Sequence, residues 1–251
     1  MGEHAVLEFA LNLVLGVTLG AVGGLLGIGG GLIAIPILGF LYGMDQHLAQ
    51  GTALVMIVPN VLIGFMRYRQ RNPIDLRSTA WLCVLAMLAA GVSAHFASYV
   101  GAHQLRVTFA LFLIVLALYF IWQMRARPDA DVTTALPPRY IPLVGILSGS
   151  MSGLFTVGGG LVAVPALVSL FGMRQAQGVA LALVIPASLV ALFTYANAGH
   201  VSWSIGLPLS IGGIASVSWG VAIAHRFPPA RLRLAFCAVL AGTAMMMRLP
   251  K

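Results

Sequence analysis

Three consecutive glycines, Gly29, Gly30 and Gly31, interrupt an apolar run otherwise suited to a helix, and the interruption recurs at Gly158, Gly159 and Gly160. Glycine lowers helix propensity by about 1 kcal/mol per residue against alanine, so three in succession favour a break. A helix restarting at Leu32 or Leu161 would present unpaired backbone N–H groups and the positive end of its dipole at that break. That chemistry suits a small anion. The other reading of such glycines is close helix packing, and it is the reading for Gly16, Gly20 and Gly24, spaced four apart and echoed by Gly145, Gly149 and Gly153.

Polar side chains in the following apolar segments could complete the site: Gln50, Thr52 and Asn60 in the first half of the chain, and Gln177, Ser188, Tyr195 and Asn197 in the second. Gln50 and Gln177 occupy matching positions and could donate hydrogen bonds to the oxygens of an anion. The alternative for each polar residue is an interhelical hydrogen bond worth about 0.6 kcal/mol. His95 lies inside an apolar segment, where it is either functional or satisfied by a backbone carbonyl. His47, His103, His200 and His225 fall near segment ends and read as interfacial anchors. Arg67 and Arg174 are the cations best placed to steer anions toward a cytoplasmic mouth. Trp81, Trp122 and Trp203 read as interfacial belt residues.

The elements that position these groups follow from composition. At 60% hydrophobic and 8% charged residues, with a mean hydropathy of +0.98, the chain lies far from soluble domains, which carry roughly a quarter charged residues. An all-α integral membrane protein is expected. The net charge of +8 comes from arginines at segment ends, which anchor topology at lipid headgroups and do not form a nucleic-acid surface. Glu3 and Glu8 precede the first apolar run, so no cleaved signal peptide is expected. Cys83 and Cys237 sit in apolar segments without metal-ligand spacing and read as packing residues; no metal or cofactor is expected.

No charge occurs between Glu8 and Asp45, a run of about 36 residues, where one spanning helix needs roughly 20 and two with a loop need more than 40. A helix descending to the glycines and a shorter one, about Leu32 to Tyr42, running back satisfies that length. Residues 141–171 repeat the hairpin. Three spans follow each: near Leu48 to Met66, Ser78 to Val100 and Val107 to Met124, then Ala176 to Ala196, Trp203 to Ala224 and Leu232 to Met247. The chain thus divides into a first repeat, 1–124, a polar cytoplasmic linker, 125–139, and a second repeat, 140–251. Ala49-Gln50-Gly51 matches Ala176-Gln177-Gly178, Pro59 matches Pro186, Tyr68 matches Tyr195, and Leu105-Arg106 matches Leu232-Arg233, a duplication of about 128 residues.

Charge decides orientation. Arg67, Arg69, Arg71 and Arg77 follow the first span of repeat one, and the matching loop of repeat two carries no arginine or lysine; Arg226, Arg231 and Arg233 crowd a loop whose counterpart offers only Arg106. Arginine-rich loops stay cytoplasmic, so corresponding loops fall on opposite sides and two inverted repeats are expected, each a glycine-broken helical hairpin plus three transmembrane helices. Arg248 and Lys251 then fall outside, against the rule.

The residues GGLLGIGGGLIAIP followed by AQGTAL, and SGLFTVGGGLVAVP followed by AQGVAL, resemble the sulfite exporter TauE/SafE family of membrane transporters. The likeness covers nearly the whole chain and is weak in the last span of each half. It implies export of sulfite, of sulfonates such as sulfoacetate, or of related small organic anions across the bacterial inner membrane by a multi-pass protein. Thr52 follows Gly51 as the family's Thr-Ser element suggests, but Ala53 replaces the serine, and Val179-Ala180 holds those positions in repeat two. If a hydroxyl there binds substrate, only the first half retains it.

No Asp or Glu lies inside a span, so a buried carboxylate relay is not expected. Potential-driven export is the economical mechanism, at roughly 2.3 kcal/mol per charge per 100 mV, with His95 as the proton carrier if one is used. The competing readings are an anion channel and a transporter of an unrelated small carboxylate. No HExxH, GxSxG or clustered acidic motif points to an enzyme. The expected partners are a small anion and membrane lipid, with no nucleic acid, and the glycine-rich faces are compatible with a homodimer.

Overall fold

The computed structural model describes residues 2–26, 29–71, 76–126, 141–156, 160–224, 227, 237–240, 242–243 and 246. Eight helices order these residues: α1 Gly2–Leu26, α2 Gly31–Tyr42, α3 Gln46–Arg71, α4 Leu76–Tyr99, α5 Ala102–Ala126, α6 Ile141–Phe155, α7 Gly160–Asn197 and α8 Trp203–Ala224. Six stretches within them are long and apolar enough to cross a membrane, whereas α2 and most of α6 are shorter apolar helices. The expected last span, 232–247, and the linker lie largely outside the described residues.

Local chemistry sets the helix ends. α2 starts after Gly30 and ends at Gly43, both in the left-handed region at φ 88° and 64°, conformations open to glycine at little cost. Asp45 caps α3, its Oδ1 accepting from the Leu48 N–H at 2.8 Å. α7 stops at a left-handed Gly199 (φ 75°), where the His200 N–H reaches back to the Tyr195 carbonyl at 2.9 Å.

In the second half, helical residues extend from Gly160 to Asn197, 38 in all. That run cannot be straight. A straight helix of this length would extend about 57 Å and set Gly160 about 30 Å from Ala180. Yet a Cβ at Gly160 would lie 3.6 Å from the Ala180 Cβ and 3.8 Å from Val184 Cγ2. Leu167 likewise shares a buried cluster with Val179, Ala180 and Leu183. The run doubles back between Leu167 and Val179, so the expected short helix and returning span are both present.

The glycine seams are close-packing surfaces, and each seam of one half meets a helix of the other. A Cβ at Gly16, Gly20 or Gly24 of α1 would fall on backbone atoms of Leu209, Gly213 or Val217 in α8. One at Gly145, Gly149 or Gly153 of α6 would fall against Leu82, Ala86 or Ala90 in α4. These two sets occupy matching positions in the duplication, so the seams are exchanged reciprocally. Bare glycine backbones let the helices approach where apolar side chains alone give no net drive to associate in lipid.

Contact order gives directions. Residues 16, 20 and 24 meet 209, 213 and 217 in ascending order, so α1 and α8 run parallel; α6 and α4 do the same. Gln50 meets Tyr195 and Gly64 meets Leu181, so α3 runs against the returning part of α7. Cys83 meets Ala182 and Gly91 meets Val190, so that part of α7 runs with α4. Val55 meets Gly206 and Asn60 meets Gly213, which makes α3 parallel to α8. Corresponding helices of the two halves therefore point in opposite directions. α3 lies at the centre with Leu54, Met56, Ile57 and Val61 buried, while Leu11, Val14, Leu88, Phe96, Leu111 and Trp219 remain exposed on the apolar outside.

Candidate functional site

The first break is built by Gly29 and Gly30, at φ 70° and 88°. Gly31 is not part of the break but the first residue of α2, and the residue before it, Gly30, supplies no side-chain cap. The earliest described backbone bonds of α2 run from Ile33 and Ala34 to the Gly30 carbonyl. Helix geometry leaves the Gly31 and Leu32 N–H groups pointing into the break. A Cβ at Gly30 would lie 2.9 Å from the Leu19 carbonyl oxygen and 3.1 Å from Met56 Cε, and one at Gly29 would lie 2.7 Å from Val61 Cγ2. Met56 stands halfway along the apolar stretch Gln46–Arg67, so the break is at mid-depth of the helix it packs on.

The second break follows Phe155. Thr156 holds φ 55°, a strained left-handed value for a β-branched residue, and its N–H and hydroxyl are tied to the carbonyls of Ser152 and Phe155 at 2.9 and 2.7 Å. Gly158 and Gly159 lie outside the described residues, and Gly160 opens α7 as Gly31 opens α2. The breaks adjoin, since a Cβ at Gly31 would be 3.3 Å from the Thr156 carbonyl oxygen. Nearby side chains keep unused polar atoms. Asn60, next to Val61 on α3, is 1% exposed with neither amide atom hydrogen-bonded, and Ser152, one turn before Thr156, buries a free hydroxyl. Ser152 and Thr156 were not singled out from sequence; a serine echoing Gly23 and a threonine echoing Gly27 were the only signals.

The glutamine expected to act with Gln177 is instead engaged across the halves. Tyr195 donates its hydroxyl hydrogen to Gln50 Oε1 at 2.7 Å, with both residues fully buried. The Gln177 side chain lies outside the described residues. Thr52 accepts from the Ser202 N–H at 3.0 Å, and a Cβ at the intervening Gly51 would strike the His200 carbonyl. Gln50, Thr52 and Tyr195 therefore form one buried layer, toward the start of α3 from the break. Asn197 does not join it, because two residues beyond Tyr195 the helix turns its side chain out and leaves it exposed.

The histidines are also redistributed. His95 is exposed on α4 with its ring edge-on to Tyr99 at 5.1 Å, so it faces away from the interior of the chain. His47 and His200, expected as anchors, instead stack at 4.9 Å beside Tyr195, with His47 buried.

Tyr195→Phe removes the only described partner of Gln50 Oε1. The expected result is a loss of about 0.6 kcal/mol in stability and an anion affinity several-fold weaker, read by binding titration of folded protein. Unchanged affinity would return this pair to a packing role.

Residues 12–247 match the family described as sulfite exporter TauE/SafE. The chain is 27% identical to a probable membrane transporter protein of Methanocaldococcus jannaschii, covering 95% of each chain. It is 27% identical to the probable membrane transporter protein YunE of Bacillus subtilis, over 86% of this chain and 89% of that one. A probable membrane transporter protein of Xylella fastidiosa is 28% identical over 81% and 80%. No solved structure matches. With two adjoining helix breaks, six apolar membrane-length helices among the described residues and a family match across nearly its whole length, this multi-pass membrane protein belongs to the sulfite exporter TauE/SafE family.

Proposed function

We propose that the chain is a secondary transporter that exports small sulfur-containing anions, sulfite or an organosulfonate such as sulfoacetate, across the bacterial inner membrane by alternating access. The observation that carries this reading is the meeting of two helix breaks at mid-depth, Gly31 against Thr156, with unpaired polar atoms on helices that form or pack on them, at Asn60 of α3 and Ser152 of α6. Amides at a helix start favour negative charge, and burial in low dielectric strengthens that preference. The opposite directions of corresponding helices support two inverted repeats that rock about the paired breaks. The family and its relatives' names support transport as the activity.

An exported anion moves down an inside-negative potential, gaining roughly 2.3 kcal/mol per charge per 100 mV, which needs no intramembrane carboxylate. The test is efflux from liposomes loaded with sulfite, sulfoacetate or a small carboxylate. Efflux that saturates, supports counter-transport and rises with inside-negative potential is expected for one of the sulfur anions. Unsaturable flux without counter-transport would mark a channel, and selectivity for the carboxylate would reassign the substrate. Gln50→Ala combined with Gln177→Ala is expected to raise the half-saturating concentration several-fold; an unaltered value removes both glutamines from the site.

A further inference from the structure

The first two turns of α3 carry buried polar nitrogens that no described hydrogen bond uses. Gln46 and His47 are 6% exposed and Gln50 is 0% exposed, and each has a buried nitrogen without a described partner: Gln46 Nε2, His47 Nδ1 and Gln50 Nε2. At spacings of three and four residues, Gln50 shares a helix face with both of the others. Their remaining atoms set the polarity of what is left. His47 Nε2 lies 2.8 Å from the Val100 carbonyl oxygen, which can only accept, so this nitrogen carries a hydrogen. Tyr195 occupies Gln50 Oε1, leaving the amide nitrogen as the free donor.

Two buried amide donors thus share the start of α3 with an imidazole nitrogen that changes sign with protonation. Neutral His47 presents a lone pair at Nδ1 and repels an anion; protonated, it presents a third donor and a positive charge. We propose that Gln46, His47 and Gln50 form a second oxyanion site, at the end of the α3 span remote from Arg67, which takes up one anion together with one proton on Nδ1 of His47. The assignment rests on the reading of the transported solute as an anion.

The groups facing His47 permit one proton there. Tyr195 of α7 stands 6.5 Å away between ring centroids with its hydroxyl engaged, and Asp45, which precedes His47 by two residues, caps α3. His200, stacked at 4.9 Å, is held below the ordinary histidine range by burial and then by His47 itself, with Asp45 opposing. It remains neutral at pH 7, so a charge on His47 meets no second imidazolium. In the other half, at the offset that relates Gln50 to Gln177, the position of His47 is Arg174. The two copies of this position thus hold a permanent cation in one half of the sequence and a titratable group in the other. Release at the His47 end therefore follows pH on that side: acid holds the anion, and loss of the proton discharges it.

The experiment is proton uptake on binding, measured with a pH indicator in weakly buffered detergent solution at pH 7, using the full chain and sulfoacetate, whose acid groups are fully ionised there. About one proton taken up per chain at saturation is expected. His47→Asn, which places a permanent amide donor near the Nδ1 position, is expected to bind without uptake, while exposed His103→Asn keeps it. Wild-type binding without uptake overturns the proposal alone, as does undiminished uptake by folded His47→Asn. If that variant does not fold, the pH dependence of wild-type affinity decides: sulfoacetate must bind more tightly as the pH is lowered from about 8 to 6, and an affinity independent of pH overturns the proposal. No binding by sulfoacetate, sulfite or a carboxylate overturns both this site and the transport reading.

Discussion

Gly30→Leu is expected to reduce anion flux in liposomes to background while the protein still inserts in the membrane. Gly30 holds φ 88°, where a residue with a Cβ is disfavoured by roughly 1–2 kcal/mol, and the added carbon would press on the Leu19 carbonyl oxygen at 2.9 Å and Met56 Cε at 3.1 Å. Both strains are relieved only by opening the packing of α1 on α3 or by retreating from the left-handed conformation, and either moves the first amides of α2. Insertion depends on the apolar length of the helices, which one leucine does not reduce. Gly159→Leu is expected to act likewise. Gly30→Ala gives a graded form of the same lesion, with flux between wild type and background. Normal flux in Gly30→Leu, with folded protein confirmed by gel filtration, would remove the break from the transport mechanism.

Gly20→Ala and Gly149→Ala are expected to lower the thermal stability of the protein in detergent by similar amounts. The Cβ of the first would lie 2.5 Å from the Gly213 Cα and from Ser216 Oγ, and that of the second 2.6 Å from the Ala86 Cα. Ordinary overpacking costs about 1–3 kcal/mol because side chains give way. Backbone atoms cannot rotate aside, so the cost should reach or exceed the top of that range. Gly39→Ala is the internal comparison: its Cβ would meet only the Met44 carbonyl oxygen, at 3.6 Å, and it gains up to about 1 kcal/mol of helix propensity. The seam variants gain the same propensity yet should unfold at lower temperature. If they match Gly39→Ala, the reciprocal seams do not hold the halves together.

Much of this molecule was legible before any coordinates. The uncharged run between Glu8 and Asp45 was the wrong length for one span or two, and the hairpin it implied is present with its break at Gly29 and Gly30. The seam glycines were legible as close-packing positions from their spacing alone. These features are local: helix length against bilayer thickness, and the backbone freedom of glycine, act within a few turns of chain.

Facing and partnership are different. Helices that are apolar all round carry no amphipathic stripe to say which side turns inward, so the mid-segment position of His95 and the end position of His47 did not show which of them faces the interior. Tertiary packing set the first outside and stacked the second on His200. It also gave Gln50 the partner Tyr195 in place of its repeat-mate Gln177, and laid each glycine seam on a helix of the opposite half. Such pairings arise between residues more than sixty positions apart. Composition and spacing thus determined that the chain crosses the bilayer and where its backbone breaks, while close packing between the halves decided which polar groups those breaks and buried layers bring face to face.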